Sequence, residues 1–195
     1  MAHLRPLENE EIQDKDITDR FEHYADTRGF VPNSIRTMAR RPNIVKAFMA
    51  LNQACLYEGT VPEDLKMMVS YASSAASGCN YCRSHMANLS SIYKVPDEKI
   101  EAIFTCQDSD LFTDAEKAAI TLAIKMGMTP NDAQEEDFDE LKKHFDDGQI
   151  IEIVASVALF GYLNRWNDTM ATELEVFPKN VAKRIFDDWN DGKHG

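Results

Sequence analysis

Basic side chains are in short supply: 21 Lys and Arg stand against 33 Asp and Glu in 195 residues, a formal charge of −12 at pH 7. A polyanion such as nucleic acid meets net repulsion on such a chain, so nucleic-acid binding is not expected. Long apolar runs are missing as well. A membrane span needs about 18–20 apolar residues, and the greasiest stretch, Ile150 to Leu163, is interrupted by Glu152, Ser156 and Gly161. No transmembrane helix and no membrane partner are expected. The start, Met1 to Pro6, lacks the basic-then-apolar pattern of a secretory signal, so a cytoplasmic location is expected. There is no low-complexity tract and no Gly/Ser linker. Cysteine is limited to Cys55, Cys79, Cys82 and Cys106, too few for a disulfide scaffold at this length. Any disulfide here is chemical rather than structural.

Apolar residues at 44% and charged residues at 28% are ordinary for a folded soluble domain. Strand signals are scarce and helix signals dominate. Residues 1–30 are charged and weakly patterned, and are expected to wrap as an N-terminal extension around a helical domain over 31–195. Pro42 suits a first helical turn, the run from Ile44 to Ala54 has helical spacing, and Gly59 is placed to stop it. Pro62 opens the next helix with Glu63 and Asp64 in its first turn, and Gly78 ends it. Helical character resumes from Asn80 to about Tyr93, and Pro96-Asp97-Glu98 starts a short helix. Thr113 to Glu116 has the spacing of a capping box and should open a helix to about Met126. Phe138, Leu141 and Phe145 form a narrow apolar stripe ending near Gly148. The helix from Gln149 onward is apolar nearly all round and is expected at the centre of the core. The fold class is all-α, with about eight helices.

The stretch that carries chemistry is Ser77-Gly78-Cys79-Asn80-Tyr81-Cys82-Arg83-Ser84-His85. On a helix starting at Cys79, Cys82 and His85 follow on one side at three-residue steps. A helix N-terminus favours thiolate over thiol, and Arg83 adds positive charge nearby. The Cys-x-x-Cys spacing permits a reversible disulfide within one turn. Two other readings compete with redox chemistry. Two half-buried cysteines and a satisfied histidine would be plain packing. A closed zinc site needs four ligands, and Cys79, Cys82 and His85 supply three, so Cys55 or Cys106 would have to swing in. The pattern favours redox use, with no metal and no organic cofactor. Cys55 and Cys106 read as packed small apolar residues, and His23 and His144 as surface residues.

The segment resembles the active-site signature of the alkylhydroperoxidase D-like, carboxymuconolactone decarboxylase superfamily, in its Cys-x-x-Cys-containing, peroxidase-related branch. Arg40-Arg41-Pro42, Pro62 to Lys66, Cys79-Asn80-Tyr81-Cys82, Phe112 to Ala118 and Asn164-Arg165-Trp166-Asn167-Asp168 recur in order in that branch. The resemblance covers roughly residues 30 to 178. It implies an all-helical bundle assembling as a dimer, trimer or hexamer, and a thiol-dependent peroxidase or disulfide oxidoreductase. In the implied cycle Cys82 attacks the peroxide, Cys79 condenses with the sulfenic acid, an external dithiol donor reduces the disulfide, and His85 relays the thiol proton. A helix-only argument would instead make Cys79 the attacker.

Two positions depart from the family pattern. The histidine lies three rather than four residues after the second cysteine. The family's relay glutamate falls at Met67, which cannot orient a histidine. Glu63, one turn earlier, is one candidate replacement. Asn164 and Asp168, polar residues after the most apolar helix, are others, against the plain alternative of an internal network joining Arg165 to Glu173 or Asp168. Two alternative functions stay open, a cofactor-free decarboxylase of a muconolactone-like acid and a non-catalytic redox sensor.

Overall fold

A computed structural model describes residues 2–187 and 189–195. Among them are ten α-helices, three 3-10 turns and no strand. In chain order the helices are α1 (Lys15–Arg28), α2 (Asn33–Met38), α3 (Pro42–Tyr57), α4 (Glu63–Ala76), α5 (Asn80–Ile92), α6 (Asp97–Glu101), α7 (Asp114–Gly127), α8 (Glu135–Leu141), α9 (Asp147–Met170) and α10 (Val176–Ile185). The expected stops and starts are met closely. Thr113 accepts from the Glu116 amide while Glu116 reaches back to the Thr113 amide, the reciprocal cap that opens α7.

The central helix is α4, not α9. Every side chain from Leu65 to Ser74 is buried, because α5, α7 and α9 all pack against α4. Its Ser and Ala residues are small enough to let neighbours close in on all sides. At the α7 crossing the approach is closest: a Cβ on Gly127 would fall 2.4 Å from the Ser73 carbonyl oxygen. Only glycine fits that contact. Helix α9, read from its apolar residues as central, buries Ile153, Val157, Phe160 and Leu163 but leaves Ile151 67% and Tyr162 42% exposed. Hydrophobicity all round a helix therefore did not mean burial all round it.

The first 30 residues do more than wrap. Ile17, Phe21 and Tyr24 of α1 are buried and join the main core. Their spacing of three and four residues places one apolar stripe on an otherwise charged helix. Residues before α1 run across the far side of the molecule, where the His3 amide donates to the Met170 carbonyl at 3.0 Å and Arg36 donates to the Leu7 carbonyl at 3.0 Å. No helix among the described residues is long and apolar enough to cross a membrane.

Candidate functional site

Gly78 takes a left-handed backbone, φ 76°, and turns the chain sharply from α4 into α5. Cys79 is thereby the N-cap of α5, and its sulfur accepts from the Cys82 amide at 3.5 Å. The hydrogen-bonded turn places the two cysteines one helical turn apart. Both are free thiols and both are buried. Cys82 and His85 line one small cavity, whose apolar wall includes Ile35, Phe48, Met86 and Leu163. Cys79 does not line it. Cys82 also meets Asn167 of α9, another residue of the cavity wall, whose Nδ2 donates to the Cys82 sulfur at 3.4 Å, while Asn167 Oδ1 is buried without a partner among the described residues. Burial, the hydrogen bond from Cys79 and its charge push the Cys82 thiol well above the ordinary thiol range, and the Asn167 bond offsets only part of this.

His85 is held by a carboxylate that the sequence reading missed. Its Nε2 lies 2.6 Å from Glu175 Oε2, where the ring N–H donates and the carboxylate accepts. Glu175 Oε1 also accepts the Tyr81 hydroxyl at 2.8 Å and the Asn33 amide. The Tyr81 ring stacks on His85 with centroids 4.3 Å apart, and Phe30 meets the other side edge-on at 5.6 Å. Burial raises the Glu175 pKa, but the charge and hydrogen bond of His85 and the Asn33 amide hold it below the ordinary glutamate value. With Nε2 committed to Glu175, Nδ1 is the His85 nitrogen left to exchange a proton in the cavity. No hydrogen bond joins His85 directly to Cys82 among the described residues.

The proposed replacements for the family glutamate lie elsewhere. Glu63 is exposed in the first turn of α4 and faces Tyr57 and Tyr93. Met67 is a fully buried core residue. Asn164 and Asp168 line a separate surface cavity with Ser73, Ser77 and Arg165. Asp168 pairs with His194 at 3.1 Å, and Arg165 donates to the Gly161 carbonyl at 2.8 Å rather than to Glu173 or Asp168. Arg83 is also diverted from the thiols, its guanidinium lying 4.0 Å over the Phe186 ring. What the polar run after α9 does contribute is Asn167. The signal for Glu175 was thin: a lone carboxylate between Leu174 and Val176, 90 residues beyond His85.

Residues 42–125 match the carboxymuconolactone decarboxylase family. The debrominase Bmp8 in complex with 2,3,4-tribromopyrrole superposes with a TM-score of 0.87 at 31% identity, over 95% of this chain and 98% of that one. The chain belongs to the alkylhydroperoxidase D-like, carboxymuconolactone decarboxylase superfamily. A second member of the superfamily, an alkylhydroperoxidase-core, peroxidase-related protein from Ralstonia eutropha JMP134, gives a TM-score of 0.78 at 26% identity, covering 90% of this chain and 93% of its own. A peroxidase-related protein from Silicibacter sp. TM1040 shares the fold at a TM-score of 0.75 and 19% identity, covering 84% of this chain and 86% of its own. Sequence comparison with curated proteins returns no match. Membership agrees with the all-helical architecture.

Proposed function

We propose that this protein is a thiol-dependent reductase of small hydrophobic hydroperoxides, cycling Cys79 and Cys82 between dithiol and disulfide. The observation that carries the reading is the asymmetry of the pair: Cys82 lines the apolar cavity beside His85, and Cys79 sits out of that cavity with its sulfur 3.5 Å from the Cys82 amide. Cys82 then attacks the outer peroxide oxygen. The O–O bond breaks, the thiol proton passes by way of His85 Nδ1 to the leaving alkoxide, and the products are Cys82 sulfenic acid and an alcohol. Asn167 Oδ1, buried and unpartnered at the cavity wall, is the acceptor suited to the hydroperoxide O–H. Cys79 next displaces hydroxide from the sulfenic sulfur, forming the disulfide and water. An external dithiol restores the pair by exchange.

Treating the reduced chain with one equivalent of an organic hydroperoxide and mapping thiols by mass spectrometry tests this. We expect loss of two thiols and a Cys79–Cys82 linkage. Cys82→Ser should lower turnover with a dithiol donor by at least about a thousandfold, since it removes the nucleophile itself. Cys79→Ser should accumulate the sulfenic acid. Persistence of both free thiols under peroxide would overturn the reading. Oxidation without turnover on any dithiol would identify a sensor, and carbon dioxide release from a lactone acid, insensitive to both substitutions, a decarboxylase.

A second reading has support from the likeness to Bmp8, which was solved with a brominated pyrrole bound to a cysteine-to-alanine variant. The same two sulfurs can remove halogen from an aromatic ring. Cys82 would take the bromine, the ring carbon would gain a proton, and Cys79 would displace bromide to give the same disulfide. Bromide release from a bromopyrrole, set against alcohol release from a hydroperoxide, decides between the two substrates.

A further inference from the structure

The side of the cysteine pair away from the cavity is unexpectedly rich in ligands. The last residues fold back in a 3-10 turn, Gly192–His194, pinned by the Leu174 amide donating to the His194 carbonyl at 2.9 Å. His194 is buried, its ring 5.9 Å from that of Tyr81. Its Nδ1–H donates to the Thr172 carbonyl at 2.8 Å, which directs Nε2 toward Asp168 Oδ1 at 3.1 Å. One ligand atom each from Cys79, Asp168 and His194 lie within 4.8 Å of one another. Cys82, one helical turn along from Cys79, lies outside that group of three, and its sulfur has to swing toward it to serve as a fourth ligand.

We propose that Cys79, Cys82, Asp168 and His194 form a binding site for a thiophilic divalent cation of the zinc class, and that metal binding and disulfide formation exclude each other. The metal site stands on the four side chains alone; the exclusion rests on the thiol–disulfide chemistry proposed above. Ligands on a tetrahedral zinc ion lie about 3.3–3.8 Å apart, given bonds of about 2.0–2.3 Å, so Cys79, Asp168 and His194 need to close by only about an ångström, and Cys82 has to move further to join them. Two sulfurs, an imidazole and a carboxylate suit zinc and reject magnesium or calcium. A carbonyl holding the far nitrogen of the histidine is the outer arrangement that metal-ligating histidines use. The second oxygen of Asp168 faces Lys193 at 3.4 Å, which leaves Oδ1 for the ion. Asp168 also lines the surface cavity with Ser73, Ser77 and Asn164, which opens a route from solvent.

Binding releases the two thiol protons and commits both sulfurs to the ion. Disulfide formation withdraws both sulfurs and expels the ion with its oxidation state unchanged. The histidine of this set is His194, not the His85 of the cysteine motif, and the two sets make opposite predictions.

The test is titration of the reduced full-length chain with Cd²⁺, followed by its thiolate-to-metal charge-transfer absorbance, then displacement by Zn²⁺. We expect one ion per chain. His194→Ala and Cys79→Ser should each weaken binding by more than about 100-fold, the upper loss seen when only an outer partner is removed. His85→Ala should bind as the parent does. In the unaltered chain Zn²⁺ should raise the unfolding midpoint and a chelator should reverse the rise. Absence of both the band and the midpoint shift overturns the site whatever the variants do, and so does a band that survives His194→Ala undiminished or disappears in His85→Ala. A chain that binds Cd²⁺ but resists hydroperoxide defeats the peroxidase reading and leaves the metal site standing; a chain that is oxidised but binds no metal does the reverse.

Discussion

Glu152 and Glu175 each reach inward and accept a cation and a backbone amide. Glu152 of α9 accepts the Thr60 and Val61 amides at 2.9 and 3.0 Å and Lys66 Nζ at 2.9 Å. Glu175 accepts the Asn33 amide, the Tyr81 hydroxyl and His85. The difference lies in the cation. Lys66 is a 1% exposed ammonium buried in α4, whereas His85 is an imidazole that opens onto a cavity. Gly59 shows how tightly the first site is built, since a Cβ there would fall 2.3 Å from the Glu152 carboxylate. The first pair locks α9 to the start of α4; the second orients the ring that, in the function proposed above, exchanges a proton. On that proposal the same local device serves architecture in one place and chemistry in the other.

Breaking the architectural pair should have the largest effect. Glu152→Gln leaves the Lys66 ammonium buried without its counter-charge, which costs about 3–5 kcal/mol. Urea unfolding at neutral pH measures it, and oxidation of the folded fraction by hydroperoxide should be unchanged. Acid should expose the same group more gently. Burial raises the Glu152 pKa, yet the Lys66 hydrogen bond, the two amides and the Lys66 charge bring it down to about 2. A depressed folded pKa gives stability that is complete above the unfolded value, about 4.3, and is lost as pH falls toward 2. Unfolding free energy measured from pH 5 to pH 2.5 should therefore fall steeply in the parent chain and less steeply in Glu152→Gln. Equal slopes would show that Glu152 is not held ionised.

The contrast also marks where sequence reasoning reached and where it stopped. Cys79, Cys82 and His85 were legible because a glycine stop, a helix start and a fixed spacing all act within ten residues. The caps and most helix bounds were legible for the same reason. Glu175 was not, because the link between it and His85 exists only after α10 has packed on α5, and nothing local distinguishes it from an ordinary N-cap. His194 was hidden in the same way, next to the last residue of the sequence and brought to Cys79 only by the returning tail. Helix α4 was misjudged against α9 because burial depends on neighbours: serine and alanine permit close approach, while isoleucine and tyrosine on α9 face outward.

The functional pair gives the finest test. In Glu175→Gln the shape is kept, and the new amide oxygen can still accept from Tyr81 and Asn33. The amide nitrogen, however, is a donor facing a donor, His85 Nε2–H. The ring relieves this conflict by carrying its proton on Nδ1, and Nδ1 is then unable to receive a proton in the cavity. Cys82, whose thiol is already held well above the ordinary range, loses the group that carries its proton to the leaving oxygen. General-base assistance is worth about 100-fold or more, so kcat/KM for a hydroperoxide should fall by about 100-fold, near 2.7 kcal/mol. The loss should shrink as pH rises, because hydroxide ionises Cys82 without the histidine. A fall in stability without a pH-dependent fall in rate would reduce Glu175 to a second Glu152, and the contrast between the two sites would disappear.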